Sequence, residues 1–214
     1  MKNLKPLQTA TVLLVILFST FLTSCSDHEN ETNETLNALE SNAILLQSDT
    51  DALLFMLEEE KLARDTYEFL DNQWSLNQFS NIKKSEQSHM NAVINLLEFN
   101  NIAYTILPYG EFKDKTLQDY YNLFVENGQI SQSNALQIGA TIEDLDIVDL
   151  QEYIDHTSNA SLVSVFESLK CGSKNHLRSF VTVIETIGDT YNPQFLTEEF
   201  YNQIISGNHE TCNQ

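Results

Sequence analysis

Cationic side chains are scarce in this chain: 11 Lys and Arg stand against 31 Asp and Glu, a formal net charge of −20. That balance excludes a nucleic-acid partner, because Lys and Arg must neutralise phosphates for such binding. Cysteine is nearly absent, with three in 214 residues, and no Cys-x-x-Cys pair occurs, so a zinc site dominated by sulfur is ruled out. A membrane-spanning run is missing too. The apolar stretch from Thr11 to Leu22 covers about a dozen residues, short of the roughly 20 that a helix needs to cross a bilayer.

What stands around that stretch gives it a different meaning. Lys2 and Lys5 precede it and Leu22-Thr-Ser-Cys25 closes it, the layout of a secretory leader ending in a lipoprotein-type processing box. Residues 1–24 are therefore read as a signal peptide and Cys25 as the lipidated N-terminus of the mature chain. By analogy with bacterial lipoproteins, the lipid would anchor the protein to a membrane of the cell envelope, on its periplasmic or cell-surface face. Residues 25–47 are rich in Asp, Glu, Asn, Ser and Thr, with few large apolar side chains before Ile44, and read as a flexible tether. The two remaining cysteines, Cys171 and Cys212, are expected to form a disulfide, which such a compartment permits. The alternative is an isolated core thiol at Cys171 and a loose one at Cys212.

The remainder reads as one all-α domain, 48–206, followed by a tail, 207–214. Apolar residues recur every three or four positions. A first helix is expected from a cap at Ser48 or Asp49 to about Asp71, and a second from about Leu76 to Phe99. A long middle segment, broken by Pro108 and Gly110, carries a short helix from about Thr116 to Glu126, ended by Gly128. Two more long helices follow at about 132–156 and 160–187, then a short one at about 197–205. Short turns within each pair and a long crossover between the second and third long helices predict two antiparallel hairpins.

Six polar residues interrupt the apolar stripes. On the first helix the stripe is Leu53, Met56, Glu60, Ala63, Tyr67, Leu70; on the second it is Ile82, Glu86, His89, Val93, Leu96. On the third it is Leu136, Ala140, Glu143, Ile147, Leu150, with Asp146 at its edge, and on the fourth Leu169, Ser173, His176, Phe180, Val183. A lone Glu-x-x-His is unremarkable in so acidic a chain. Four helices placing such residues at mid-length is a different matter, because ionised carboxylates in a dry core need a cation or a proton. Oxygen ligands with neutral imidazoles suit iron or manganese, so two metal ions are the expected cofactors, with Glu60, Glu86, His89, Glu143, Asp146 and His176 as ligands. Single alternatives stay open: Glu60 as a surface acid beside Glu58 and Glu59, Asp146 as a solvated or capping acid like its exposed-looking neighbours Asp144 and Asp149, His176 as a core histidine. Lys61, Arg64 and Arg178 read either as cations that neutralise acids around the ligands or as surface charges.

The spacing of Glu60 and Tyr67, followed by Phe79-Ser-Asn-Ile-Lys-Lys-Ser-Glu86-Gln-Ser-His89, resembles the first half of the ferritin-like fold. More narrowly, Glu58-Glu-Glu-Lys-Leu-Ala-Arg-Asp-Thr-Tyr67, Ile138-Gly-Ala-Thr-Ile-Glu-Asp-Leu-Asp-Ile147, Gly172-Ser-Lys-Asn-His-Leu-Arg178 and Tyr191-Asn-Pro-Gln-Phe-Leu196 resemble domain of unknown function 2202 (DUF2202). The resemblance implies a ferritin-like four-helix bundle with a metal site, and no particular reaction. One departure stands out: Ser173 occupies the place where a second Glu-x-x-His would have Glu, and Asp146 is available to replace it. The functional expectations are a metal-dependent oxidoreductase acting with oxygen or peroxide, a non-catalytic metal-binding or sensing lipoprotein, or a structural interaction bundle. Expected partners are metal ions and, through Cys25, a membrane; a homodimer is left open.

Overall fold

Leu46 precedes the first helix without a capping side chain, and Asp49, one turn in, does the work instead. It accepts the Leu46 backbone N–H at 3.0 Å, and its other oxygen receives the Thr157 hydroxyl at 2.6 Å. The cap expected at Ser48 or Asp49 is thus an acid in the first turn, favourable at a helix N-terminus, that also ties this helix to the end of another. A computed structural model describes residues 45–212. Among them are six helices and no strand: α1 (Gln47–Trp74), α2 (Asn77–Phe99), α3 (Lys115–Gly128), α4 (Gln132–His156), α5 (Ala160–Thr186) and α6 (Glu198–Ser206). The expected leader, the expected lipidation site Cys25 and the expected tether as far as residue 44 lie outside the described residues, while Gln47, expected at the end of that tether, already opens α1. No described helix is long and apolar enough to cross a membrane.

α1 packs along α2 and α4 along α5; α1 also meets α4, α2 meets α5, and α3 touches both α1 and α4 as the chain crosses between hairpins. The Asp49–Thr157 bond sets the end of α4 beside the start of α1, so these two run antiparallel. The first hairpin is tighter than its sequence suggests. α1 continues through Trp74, because Ser75 adopts a left-handed φ of 54° and closes the helix by donating to the Asp71 carbonyl. Gly128 lies inside α3 rather than beyond it. A Cβ there would meet Leu70 Cδ2 at 2.6 Å, and its carbonyl accepts the Trp74 indole N–H at 2.8 Å, so close approach of helices is what selects glycine here.

The crossing segment is pinned by Lys61, whose buried ammonium donates to Asp65 at 2.6 Å and to the carbonyls of Pro108 and Glu111 at 3.0 and 3.1 Å. Arg64 bonds Asp65 and Gln87, and Arg178 bonds Glu210 and Asn175. All three cations therefore serve the scaffold. Asp144 is buried, against its exposed-looking sequence context: it accepts the Tyr191 hydroxyl and the backbone N–H groups of Gln194, Phe195 and Leu196. A disulfide joins Cys171 to Cys212, with Cα atoms 5.6 Å apart, and fastens the C-terminal segment to α5.

The apolar core is divided in two. One cluster holds Leu62, Tyr67, Phe79, Phe180 and their neighbours; the other holds Leu53, Met56, Val93, Phe166 and theirs. Burying each such side chain contributes about 1.5–3 kcal/mol, against several kcal/mol lost per desolvated ion. Between the two clusters, at mid-length on all four long helices, runs a polar layer.

Candidate metal centre

Glu86 occupies the middle of that layer. Its Oε2 lies 2.8 Å from His89 Nδ1, one helical turn away on α2, and its Oε1 lies 2.9 Å from His176 Nδ1 on α5. His89 Nδ1 also faces Glu60 Oε2 on α1 at 3.1 Å, and His176 Nδ1 faces Glu143 Oε2 on α4 at 3.3 Å. Two triads result, Glu60–Glu86–His89 and Glu86–Glu143–His176, each with ligand atoms within 4.8 Å of one another. Both groups could bind a metal ion, and they share Glu86. The imidazoles stack with centroids 5.5 Å apart.

The surrounding residues fix the orientation of these groups. His176 Nε2 is 3.0 Å from the Ser85 hydroxyl, leaving Nδ1 directed at the acids. The Tyr67 hydroxyl donates to Glu143 Oε1 at 2.5 Å. Tyr67, Phe79 and Phe180 pack with ring centroids 5.5–5.9 Å apart, closing one side of the layer with aromatic rings. Gly172 makes room for His89: a Cβ there would stand 2.6 Å from His89 Nε2. Asp146, buried on α4, accepts a hydrogen bond from Ser173, whose hydroxyl also lies 3.0 Å from the Leu169 carbonyl. It belongs to neither triad.

Burial pushes Glu60 up to about 7, the nearby His89 notwithstanding. Burial and the charge of Glu86 raise Glu143, while burial and the charge of Glu60 raise Asp146 well above its ordinary value. Glu86 runs the other way: burial acts against its ionisation, yet His176 and His89 outweigh it and hold the carboxyl far below its usual value. Both imidazoles are pulled up by the acids in spite of burial, His176 to about 10. The cluster thus balances its charge with protons placed where a cation would serve.

The residues fit a metal on a second count. Glu60 Oε1, Glu86 Oε1, Asp146 Oδ1 and His176 Nδ1 are buried without an aligned hydrogen-bond partner, a set of defects that native interiors rarely tolerate together. All are oxygen or imidazole nitrogen, the donor set of hard and borderline ions. Sequence patterning missed Ser85 and Gly172, which carry no charge to interrupt a stripe. It also missed Glu59, which is buried; the run Glu58-Glu59-Glu60 on a helix covered from several sides was the signal available.

The family model for "Uncharacterized protein domain (DUF2202)" matches residues 49–208. Uncharacterized protein MJ0754 of Methanocaldococcus jannaschii is 44% identical over 166 residues, spanning 77% of this chain and 90% of the relative. The crystal structure of hypothetical protein MJ0754 from Methanococcus jannaschii superposes with a TM-score of 0.76 at 43% identity, covering 78% of this chain and 96% of that one.

Proposed function

The chain belongs to the DUF2202 family, and from that premise we propose that it is a ferritin-like two-metal carboxylate protein, binding iron or manganese and acting as an oxidoreductase toward oxygen or peroxide. The observation that carries this reading is the position of Glu86, one oxygen toward each histidine, between two triads on four helices. His89 and His176 would each supply Nδ1 to one ion, Glu60 and Glu143 would be terminal ligands, and Glu86 would serve both. Asp146, held by Ser173 on α5, would add the carboxylate that position 173 does not provide.

Paired redox ions in such a site supply two-electron exchange with oxygen or peroxide. The chain's own part is to orient and to exclude water. Tyr67 fixes Glu143, Ser85 fixes the imidazole of His176, and the aromatic trio keeps bulk solvent from one side. The sequence pattern of residues 1–25, two lysines, an apolar run and Leu22-Thr-Ser-Cys25, favours attachment to the cell envelope through a lipid on Cys25, a setting in which the Cys171–Cys212 disulfide would persist.

Anaerobic titration of metal-free protein with Fe(II) or Mn(II) tests the reading. Two equivalents are expected to bind, and the Fe(II)-loaded protein is expected to consume oxygen or peroxide faster than free Fe(II). Saturation at one equivalent overturns the two-metal site; two equivalents without accelerated oxidation leave a metal-holding or sensing protein instead. Cys25→Ser is expected to abolish membrane fractionation and leader processing.

A further inference from the structure

The two-metal reading leaves one buried acid without a task. Glu59 on α1 is 2% exposed, and neither of its oxygens receives a hydrogen bond. The two lysines buried among the described residues are committed elsewhere, Lys61 to Asp65 and Lys170 to Gln151 and Glu167. What Glu59 does meet is more acid: the half-buried Asp149 of α4 lies within hydrogen-bonding reach, and Asp146 is close enough to act on it electrostatically. A buried carboxyl that receives no hydrogen bond is costly unless a cation or a proton joins it.

Its position suggests what it is for. Along α4, Glu152, Asp149 and Asp146 recur every three residues on one helical face. Glu152 lines, with Asp49 and His156, a cavity of about 270 Å³ between the start of α1 and the end of α4. Asp149 comes next, then Asp146, with Glu59 opposite and Glu60 adjacent to it on α1. A dication moving inward through apolar packing loses its hydration shell, and closely spaced carboxylates are the groups that replace that shell step by step.

We propose that Glu59 and Asp149 form a staging site for divalent cations, through which metal passes from the α1–α4 face to Asp146 and Glu60. The proposal rests on the two-metal reading. The staging site holds two carboxylates where each triad holds three ligands, so it passes an ion on rather than retaining it.

Stopped-flow mixing of metal-free protein with Co(II), followed by visible absorption, separates loading rate from final occupancy. Glu59→Gln and the half-exposed Asp149→Asn are each expected to slow loading roughly tenfold or more while still binding two equivalents at equilibrium. The exposed Glu185→Gln should load at the wild-type rate, since one charge among many on the surface adds little. Unchanged rates in both test variants overturn the staging site and leave the two-metal reading intact, as does the loss of a whole equivalent from Glu59→Gln, which would make Glu59 a ligand. Absence of saturable Co(II) binding by the wild type brings down the two-metal reading, and this inference with it. Circular dichroism of each variant confirms that the bundle is folded.

Discussion

Ser173 holds Asp146 across the α4–α5 contact, hydroxyl to carboxylate, one helical turn before His176 on α5. A glutamate at position 173 would point its own carboxylate into the same space. On the proposed two-metal reading, Asp146 supplies from α4 the acid that position 173 on α5 lacks, and the Ser173 hydroxyl holds it in place. Asp146→Ala should therefore bind about one metal ion per chain. The double variant Asp146→Ala, Ser173→Glu should regain the second, measured by metal analysis after gel filtration. A double variant no better than the single one would mean that Asp146 is not a ligand.

Gly172 and His89 are related by space alone. A Cβ added at 172 would stand 2.6 Å from His89 Nε2 and push the ring aside, while alanine in a helix interior is otherwise favourable by about 0.5–1 kcal/mol over glycine. Gly172→Ala is thus expected to keep the helical fold and to lose affinity selectively at the Glu60–Glu86–His89 position. Thermal melting of the metal-free protein together with a Mn(II) titration checks both halves. Unaltered affinity at both positions would show that the imidazole of His89 has room to move.

The metal-free protein should be most stable in mild acid. Glu60 is raised from 4.5 to about 7 and His176 from 6.5 to about 10, so the folded state binds more protons than the unfolded one between these values, and stability falls as pH rises through the window. Glu86, held low, acts oppositely and loses its contribution only in strong acid. Bound cations replace those protons, so metal affinity should rise with pH and binding should release protons. Melting temperatures between pH 5 and 9, with and without Mn(II), test this: a downward slope for the metal-free form that flattens on loading is expected, and parallel curves would contradict it.

Much of this arrangement was legible in the sequence because four apolar stripes are each interrupted near mid-length. Each stripe places its intruder on the buried face, so the meeting of Glu60, Glu86, His89, Glu143 and His176 follows from helical periodicity and the hairpin pairing. Periodicity failed where a helix is covered on more than one side. On α1, Glu58 accepts the backbone N–H groups of Lys113 and Asp114, Glu59 turns to Asp149, and Glu60 enters the cluster. Three successive acids thus have three different environments, and a single stripe cannot sort them. Asp144 was misread for a related reason, since its partners are backbone groups about 50 residues downstream. Ser85 and Gly172 contribute a hydroxyl and an empty space, neither of which marks a sequence.

The sharing of Glu86 gives the last and strictest test. If one carboxylate serves both ions, its removal cannot be confined to one position. Glu86→Ala should abolish high-affinity binding at both, whereas Glu60→Ala should spare the Glu86–Glu143–His176 group and Glu143→Ala the Glu60–Glu86–His89 group. In each terminal variant the surviving group keeps two of its own ligands and the common acid, so one equivalent of Mn(II) should still bind, weakened by roughly 10–100-fold through its disturbed surroundings. Isothermal titration of the three variants gives the stoichiometries directly. One equivalent retained by Glu86→Ala would show that the two triads are independent sites that merely adjoin, and the bridged reading of the cluster would have to be abandoned.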